Sequence, residues 1–220
     1  TYPGMTPEGE SDTSGERWAL ALAAIDVLVA AGNAVGGILL RARPGPVRDA
    51  WSDALNLVVP TRRLPASADA EAMDGGLDLT ATLASGKPVH RAGILADAQG
   101  KALVVPMAER LSVAARTALC EVLDYAEVQV ARDGIGEHHA ARICAIVMDE
   151  SIDDESVHAA LRDRLAFVVR MRGSAAEALL DAADDPALAS WERQARDARH
   201  RLMSVSVDDS WIAALCETAD

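Results

Sequence analysis

Apolar and polar positions alternate along the chain in two rhythms. Thr13, Ser14, Gly15 and Glu16 form a capping box, in which the Thr13 hydroxyl serves the backbone at Glu16 and Glu16 reaches back. Behind it, Trp18, Leu22, Ile25 and Val29 recur at helical spacing, and Gly32 offers a stop. The run 37–41 is almost continuously apolar, as a strand covered on both faces must be. A Gly/Pro loop leads from it into an amphipathic helix over 48–57 that buries Trp51, Ala54, Leu55 and Val58.

Residues 57–65 lead towards a second strand, 67–74 read as a polar loop, and 75–79 open a short helix that ends at Gly86. After 93–98 a Gln99-Gly100 turn precedes a third strand at 102–105, and Ser112 caps a helix carrying Val113, Leu119, Val122 and Leu123. The flanks of Asp133-Gly134 read as a two-residue hairpin. An apolar strand at 143–148, a helix over 157–165 and a short strand at 167–170 follow, and helical patterns at 174–183, 186–203 and 208–216 close the chain. Strands alternating with helices predict an α/β fold: a mostly parallel sheet flanked by helices and carrying hairpin insertions. The expected division is a flexible arm at 1–12, an α/β core at 13–185, and a linker helix with the start of a small helical lid at 186–220.

Composition narrows the function. Half of the 220 residues are hydrophobic but only 3% are aromatic, so the core is built from Ala, Leu, Val and Ile. The net charge of −13 opposes nucleic-acid binding, which needs clustered Lys and Arg. Cys120, Cys144 and Cys216 are too scattered for a disulfide framework or a metal knot, which fits a reducing cytoplasm. The acidic, polar start lacks the basic end of a signal peptide. The apolar run 18–31 contains Asp26 and falls short of the roughly 20 residues of a membrane span, so none is expected. Five histidines show no paired metal spacing.

The strand, loop and helix around residue 45 have the layout of a phosphate-binding loop, G-x-x-x-x-G-K-[ST]. Laid over it, Ala42 stands at the first Gly, Val47 at the second, Arg48 at the Lys and Asp49 at the hydroxyl residue. Pro44 and Pro46, either side of Gly45, each remove a backbone N–H from the loop. Asp49 suits the helix N-terminus electrostatically and reads as an internal stand-in for phosphate. The third strand, which would supply two carboxylates for Mg²⁺ and water, ends in Pro106 and Met107. Glu109 lies two positions late and reads as the start of a surface helix. The fourth strand ends in Asp149 and Glu150, which would repel phosphate or simply form a solvated acidic turn.

The ordered series Gly75-Gly76-Leu77-Asp78-Leu79, Gly86-Lys87-Pro88, Ala92-Gly93-Ile94-Leu95-Ala96, Leu123-Asp124-Tyr125-Ala126-Glu127-Val128, Arg132-Asp133-Gly134, Ala141-Arg142 and Leu161-Arg162-Asp163-Arg164-Leu165 resembles the AAA+ module of the magnesium chelatase family. Within that family the degenerate loop resembles the D-type subunits rather than the ATP-hydrolysing I-type. The resemblance implies an AAA+ type parallel five-stranded sheet and the N-terminal portion of a longer cytoplasmic subunit of bacteriochlorophyll biosynthesis. It implies a ring with I subunits and further D subunits, and transient contact with the porphyrin-binding catalytic subunit during ATP-driven Mg²⁺ insertion into protoporphyrin IX. It further implies no cofactor here, with ATP and Mg²⁺ used by the partner subunit. The remnant Gly45, Arg48, Asp49, Pro106 and Met107 would be non-functional. Arg164 matches the family's arginine finger, which acts in trans on a neighbour's nucleotide, with Arg162 as the near alternative and an ordinary ion pair with Asp163, or a helix-end cation, as the other reading. An active ATPase of a related MoxR-like clade, or a plain protein-binding α/β domain, are the competing classes.

Overall fold

The computed structural model describes residues 12–171, apart from 88, 133, 134, 153 and 154. Helix α1 (Asp12–Ala31) begins one residue ahead of the expected Thr13 cap and runs through a single-turn 3-10 segment to β1 (Gly37–Arg41). Helix α2 (Pro46–Val58) starts earlier than the expected Arg48, because Pro46 takes the first helical position, where a missing N–H costs nothing. Strand β2 (Thr61–Arg63) follows.

Residues 67–74 are not simply a loop. Asp69 accepts from Ala72 N at 2.8 Å and caps a one-turn helix α3 (Ala70–Asp74), which Met73 anchors in the core. The segment after Gly75 is first a strand, β3 (Gly75–Leu77), and only then helix α4 (Leu79–Ser85), capped by Asp78 and closed by left-handed Gly86. Strand β4 (His90–Ala92) returns antiparallel to β3, so α4 sits in an insertion between two paired strands. Helix α5 (Ile94–Asp97), strand β5 (Ala102–Val105), helix α6 (Val113–Tyr125) and the hairpin β6 (Glu127–Arg132) to β7 (Ile135–Ala140) come next. Arg132 pairs with Ile135 across the expected two-residue turn. Strand β8 (Cys144–Asp149), helix α7 (Ala159–Arg162) and strand β9 (Phe167–Arg170) complete the described chain. Helix α7 is shorter than the expected 157–165, since His158 caps it and the chain leaves it to pass beneath β1, where Ala166 N donates to Val35 O at 3.1 Å. The readings for 174–183, 186–203 and 208–216, with the lid, and for 1–11, lie outside the described residues.

Five strands form one parallel sheet in the order β2-β5-β8-β1-β9. Successive side chains of a strand point to opposite faces, and both faces are covered. Ile38, Leu40, Ile146 and Met148 pack with Ala21, Ile25, Leu28, Trp51 and Leu55 of α1 and α2. Leu39, Leu103, Val105 and Val147 pack on the other face with Met73, Leu95, Leu119 and Leu161 of α3, α5, α6 and α7. Trp51 is fully buried and its indole N–H donates to Ala21 O at 3.0 Å, tying α2 to α1. The 18-residue stretch Trp18–Val35 is apolar enough to cross a membrane by length and composition, contrary to the expectation of no such stretch. In this fold one side of it packs on the sheet, while Leu20 and Val27 are exposed.

Candidate functional site

A parallel sheet places the carboxyl ends of its strands on one edge, the usual location of ligand sites in α/β folds. Here that edge collects the ends of β1, β5, β8 and β9 and the loop between β1 and α2. Gly45 is the residue before α2 and, having no side chain, gives that helix no side-chain cap. Asp49 does not fill the phosphate space: its side chain is 68% exposed, with Arg48 Nε 3.9 Å from its carboxylate. It lies in the first helical turn, where it interacts favourably with the dipole but points to solvent.

The group that engages Arg48 comes from elsewhere. Arg48 Nη1 donates to Glu150 Oε1 at 2.7 Å, between side chains only 18% and 16% exposed. Beside it Arg41 and Asp149 are register partners on β1 and β8, and Arg41 Nε donates to Asp149 Oδ2 at 2.8 Å. Ser151 donates to Asp149 Oδ1 through both its backbone N–H and its hydroxyl. The acidic strand end is therefore not a solvated turn. Its two carboxylates meet Arg41 at the end of β1 and Arg48 in the first turn of α2.

Pro106 is buried and Met107 takes left-handed backbone angles (φ 48°), which a non-glycine residue rarely adopts. Neither can bind a cation or polarise water. Glu109 is not on a surface helix: within a short 3-10 turn its side chain is almost fully covered, and Oε2 accepts from Glu150 N at 3.2 Å. Among the described residues its Oε1 makes no hydrogen bond, with Arg110 Nε 3.9 Å away. The sequence places Glu109 two positions late and on a surface helix, because its burial against the backbone of Glu150 carries no local signal. A cavity of about 470 Å³ remains at this edge, lined by Arg41, Arg43, Asp149, Glu150, Glu155 and Arg170 among others. A Mg²⁺-nucleotide does not fit these residues: the cation at the lysine position is paired with Glu150, Asp149 is paired with Arg41, and Pro106 and Met107 after β5 offer no oxygen side chain for a metal. Among the described residues no group of three His, Cys, Asp or Glu could hold a metal ion.

Arg164 lies at the opposite edge. Gly36, just before β1, adopts φ +65°, and a Cβ there would stand 1.9 Å from Arg164 O, so the chain passes under the start of β1 at closest approach. Five residue steps, from Gly36 to Arg41, separate this point from the far end of β1, ~16 Å of extended backbone. Within one chain Arg164 and the loop remnant therefore stay apart. Arg164 Nε and Nη2 donate to Asp124 Oδ1 and Oδ2 at 2.8 and 2.6 Å, a bidentate pair, and Nη1 donates to Ala160 O at 2.6 Å. These bonds hold the Asp124 carboxyl below its usual range and raise the guanidinium further. Asp163 pairs instead with the more exposed Arg162, at 3.6 Å. Asp124, 40 positions away in sequence, was not legible as the partner.

The other candidates are peripheral. His138 is exposed on β7, 3.5 Å from Glu127. Cys120 and Cys144 are buried thiols outside any disulfide among the described residues, and burial pushes the Cys120 thiol up.

No family model matches the chain. Its sequence is 33% identical to the magnesium-chelatase 60 kDa subunit of Rhodobacter capsulatus over 88% of this chain and 31% of that protein. It is 34% identical to the 60 kDa subunit of Cereibacter sphaeroides over 92% of this chain and 32% of that protein. The chain thus spans about a third of the length of these curated relatives. Among solved structures, a chain of the complex between subunits BchI and BchD of magnesium chelatase superposes with a TM-score of 0.60 at 19% identity, over 84% of this chain and 69% of that one. An ATPase candidate from Cytophaga hutchinsonii gives a TM-score of 0.59 at 12% identity, over 96% and 70%. These likenesses and the strand order show an AAA+ type fold. By sequence, over about a third of their length, the chain belongs to the family of magnesium-chelatase 60 kDa subunits.

Proposed function

We propose that this chain is a non-hydrolysing AAA+ module of a magnesium chelatase D subunit. It assembles with the I-type ATPase subunit in a ring and supports the ATP-driven insertion of Mg²⁺ into protoporphyrin IX. The observation that carries this reading is the 2.7 Å ion pair between Arg48 and Glu150. The residue at the nucleotide-lysine position is spent on its own protein, and Pro106 and Met107 supply nothing to replace the missing chemistry. The same observation counts against an active ATPase of the related clade. The partner subunit would use the ATP and Mg²⁺, and the porphyrin-binding subunit would be met only transiently.

Arg164 is the residue proposed to act. Its backbone lies at the start of β1, the end of the strand opposite its own chain's loop remnant, so the nucleotide it would meet is that of a neighbouring subunit. There a guanidinium stabilises charge developing on the transferred phosphoryl group, worth about 10³–10⁵ in rate. The complex of BchI with BchD among the structural neighbours supports the choice of partner. The test is MgATP hydrolysis by the chain alone, by an I-type subunit alone and by their mixture, with co-purification of the two. The expected result is a stable mixed assembly whose hydrolysis depends on the partner's intact site, and no turnover by the chain alone. Turnover by the chain alone, or no association, would overturn the proposal.

A further inference from the structure

Arg164 is held more completely than a surface arginine at a helix end usually is. Arginine carries five N–H donors. Three are engaged, two by both oxygens of Asp124 and one by Ala160 O. The other two make no hydrogen bond among the described residues, and a third of the side chain is exposed. The backbone is also fixed, because Arg164 O packs against Gly36 and Arg164 N donates to Leu161 O. A freely rotating arginine must be ordered at the moment it meets a phosphate, whereas a planar fork already clamped on one side has lost that freedom beforehand.

We propose that Asp124 is a positioning residue. By holding Arg164 in a bidentate grip it pre-sets the guanidinium plane, so that the two remaining N–H groups are ready for the phosphate oxygens of a nucleotide bound to the neighbouring subunit. The inference rests on the trans role given above to Arg164 and deepens it. The competing role for Asp124 is a structural tie between α6, which carries it, and the turn after α7.

A double-mutant cycle in the mixed assembly separates these. The kcat and KM for MgATP are measured with the native chain, Arg164→Ala, Asp124→Asn and the double variant, together with each variant's melting temperature. Asn keeps the size of the carboxylate but cannot accept both N–H groups as an anion. Asp124→Asn is expected to lower kcat by about 10- to 100-fold, the scale of a misplacement of about 1 Å, and to leave KM within about twofold. The double variant is expected to match Arg164→Ala, because Asp124 acts only through the arginine. If Asp124→Asn lowers kcat by its full factor again in the Arg164→Ala background, or leaves kcat unchanged where Arg164→Ala lowers it, the positioning role is overturned. If Arg164→Ala itself leaves kcat unchanged, the trans role fails, a distinguishable result. The exchange Asp124→Arg with Arg164→Asp keeps an ion pair between the same elements. It is expected to restore the melting temperature but not kcat, and recovery of kcat would contradict the proposal.

Discussion

Removing the carboxylate of Glu150 perturbs the closed loop site most directly. Its partner Arg48 is 18% exposed and the pair is 2.7 Å long. Exposed ion pairs contribute about 0.2–1 kcal/mol, and breaking a fully buried one costs about 3–5 kcal/mol because a charge is left behind without solvent. The burial of this pair puts Glu150→Ala between these limits, at about 1.5–3 kcal/mol of lost stability. For a domain of this size each kcal/mol is about 2–4 °C in melting temperature, so the variant is expected to melt about 3–12 °C lower. Arg48→Met combined with Glu150→Leu removes both charges and is expected to recover most of the loss. Thermal and urea melts of the three proteins provide the assay. A Glu150→Ala protein within about 0.5 kcal/mol of the native chain would show the pair to be an ordinary surface contact. The claim that it closes the site would then fail.

Other outcomes follow from the same structure. Trp51→Ala removes a fully buried indole and its bond to Ala21 O, and is expected to cost about 3–5 kcal/mol in a urea melt. Gly36→Ala forces a Cβ against Arg164 O at positive φ; a loss of more than about 1–2 kcal/mol is expected, with a matching fall in the kcat of the mixed assembly. Asp124 has a lowered carboxyl pKa because Arg164 binds the ionised form. Its contribution to stability is therefore complete above the unfolded carboxyl pKa near 4 and disappears as pH falls through the lower folded value. Asp124→Asn is expected to narrow the stability difference between pH 7 and pH 3, and an unchanged difference would refute the assignment.

Local pattern made the layers legible. Ile38-Leu39-Leu40 has to serve two faces in succession, and the structure sends Leu39 to one core and its neighbours to the other. Strand β9 and the third strand matched their apolar runs, and the Asp133-Gly134 pair marked its hairpin because few other residues fit such a turn. The misreadings share a cause. Residues 67–74 look polar because only Met73 of that turn enters the core, and 75–79 show too short a run to tell a strand from a helix start. Val157 and Leu165 are both buried at helical spacing although α7 covers only part of the interval.

The site was half legible. Residue types at the loop and at the end of the third strand showed which chemistry is missing. What replaces it depends on pairs such as Arg41 with Asp149, 108 positions apart, and Arg48 with Glu150, 102 apart, which only the β1–β8 register brings together. Asp49, the nearest acid in sequence, suggested the phosphate stand-in, but its place on the first turn of α2 aims it at solvent.

The central claim, that this module has exchanged its nucleotide for internal ion pairs, is tested most directly by titrating the 220-residue chain with MgATP in a calorimeter while following phosphate release. The account predicts no saturable heat up to about millimolar nucleotide and no phosphate released. Saturable binding at about micromolar concentrations with turnover by the chain alone would contradict it.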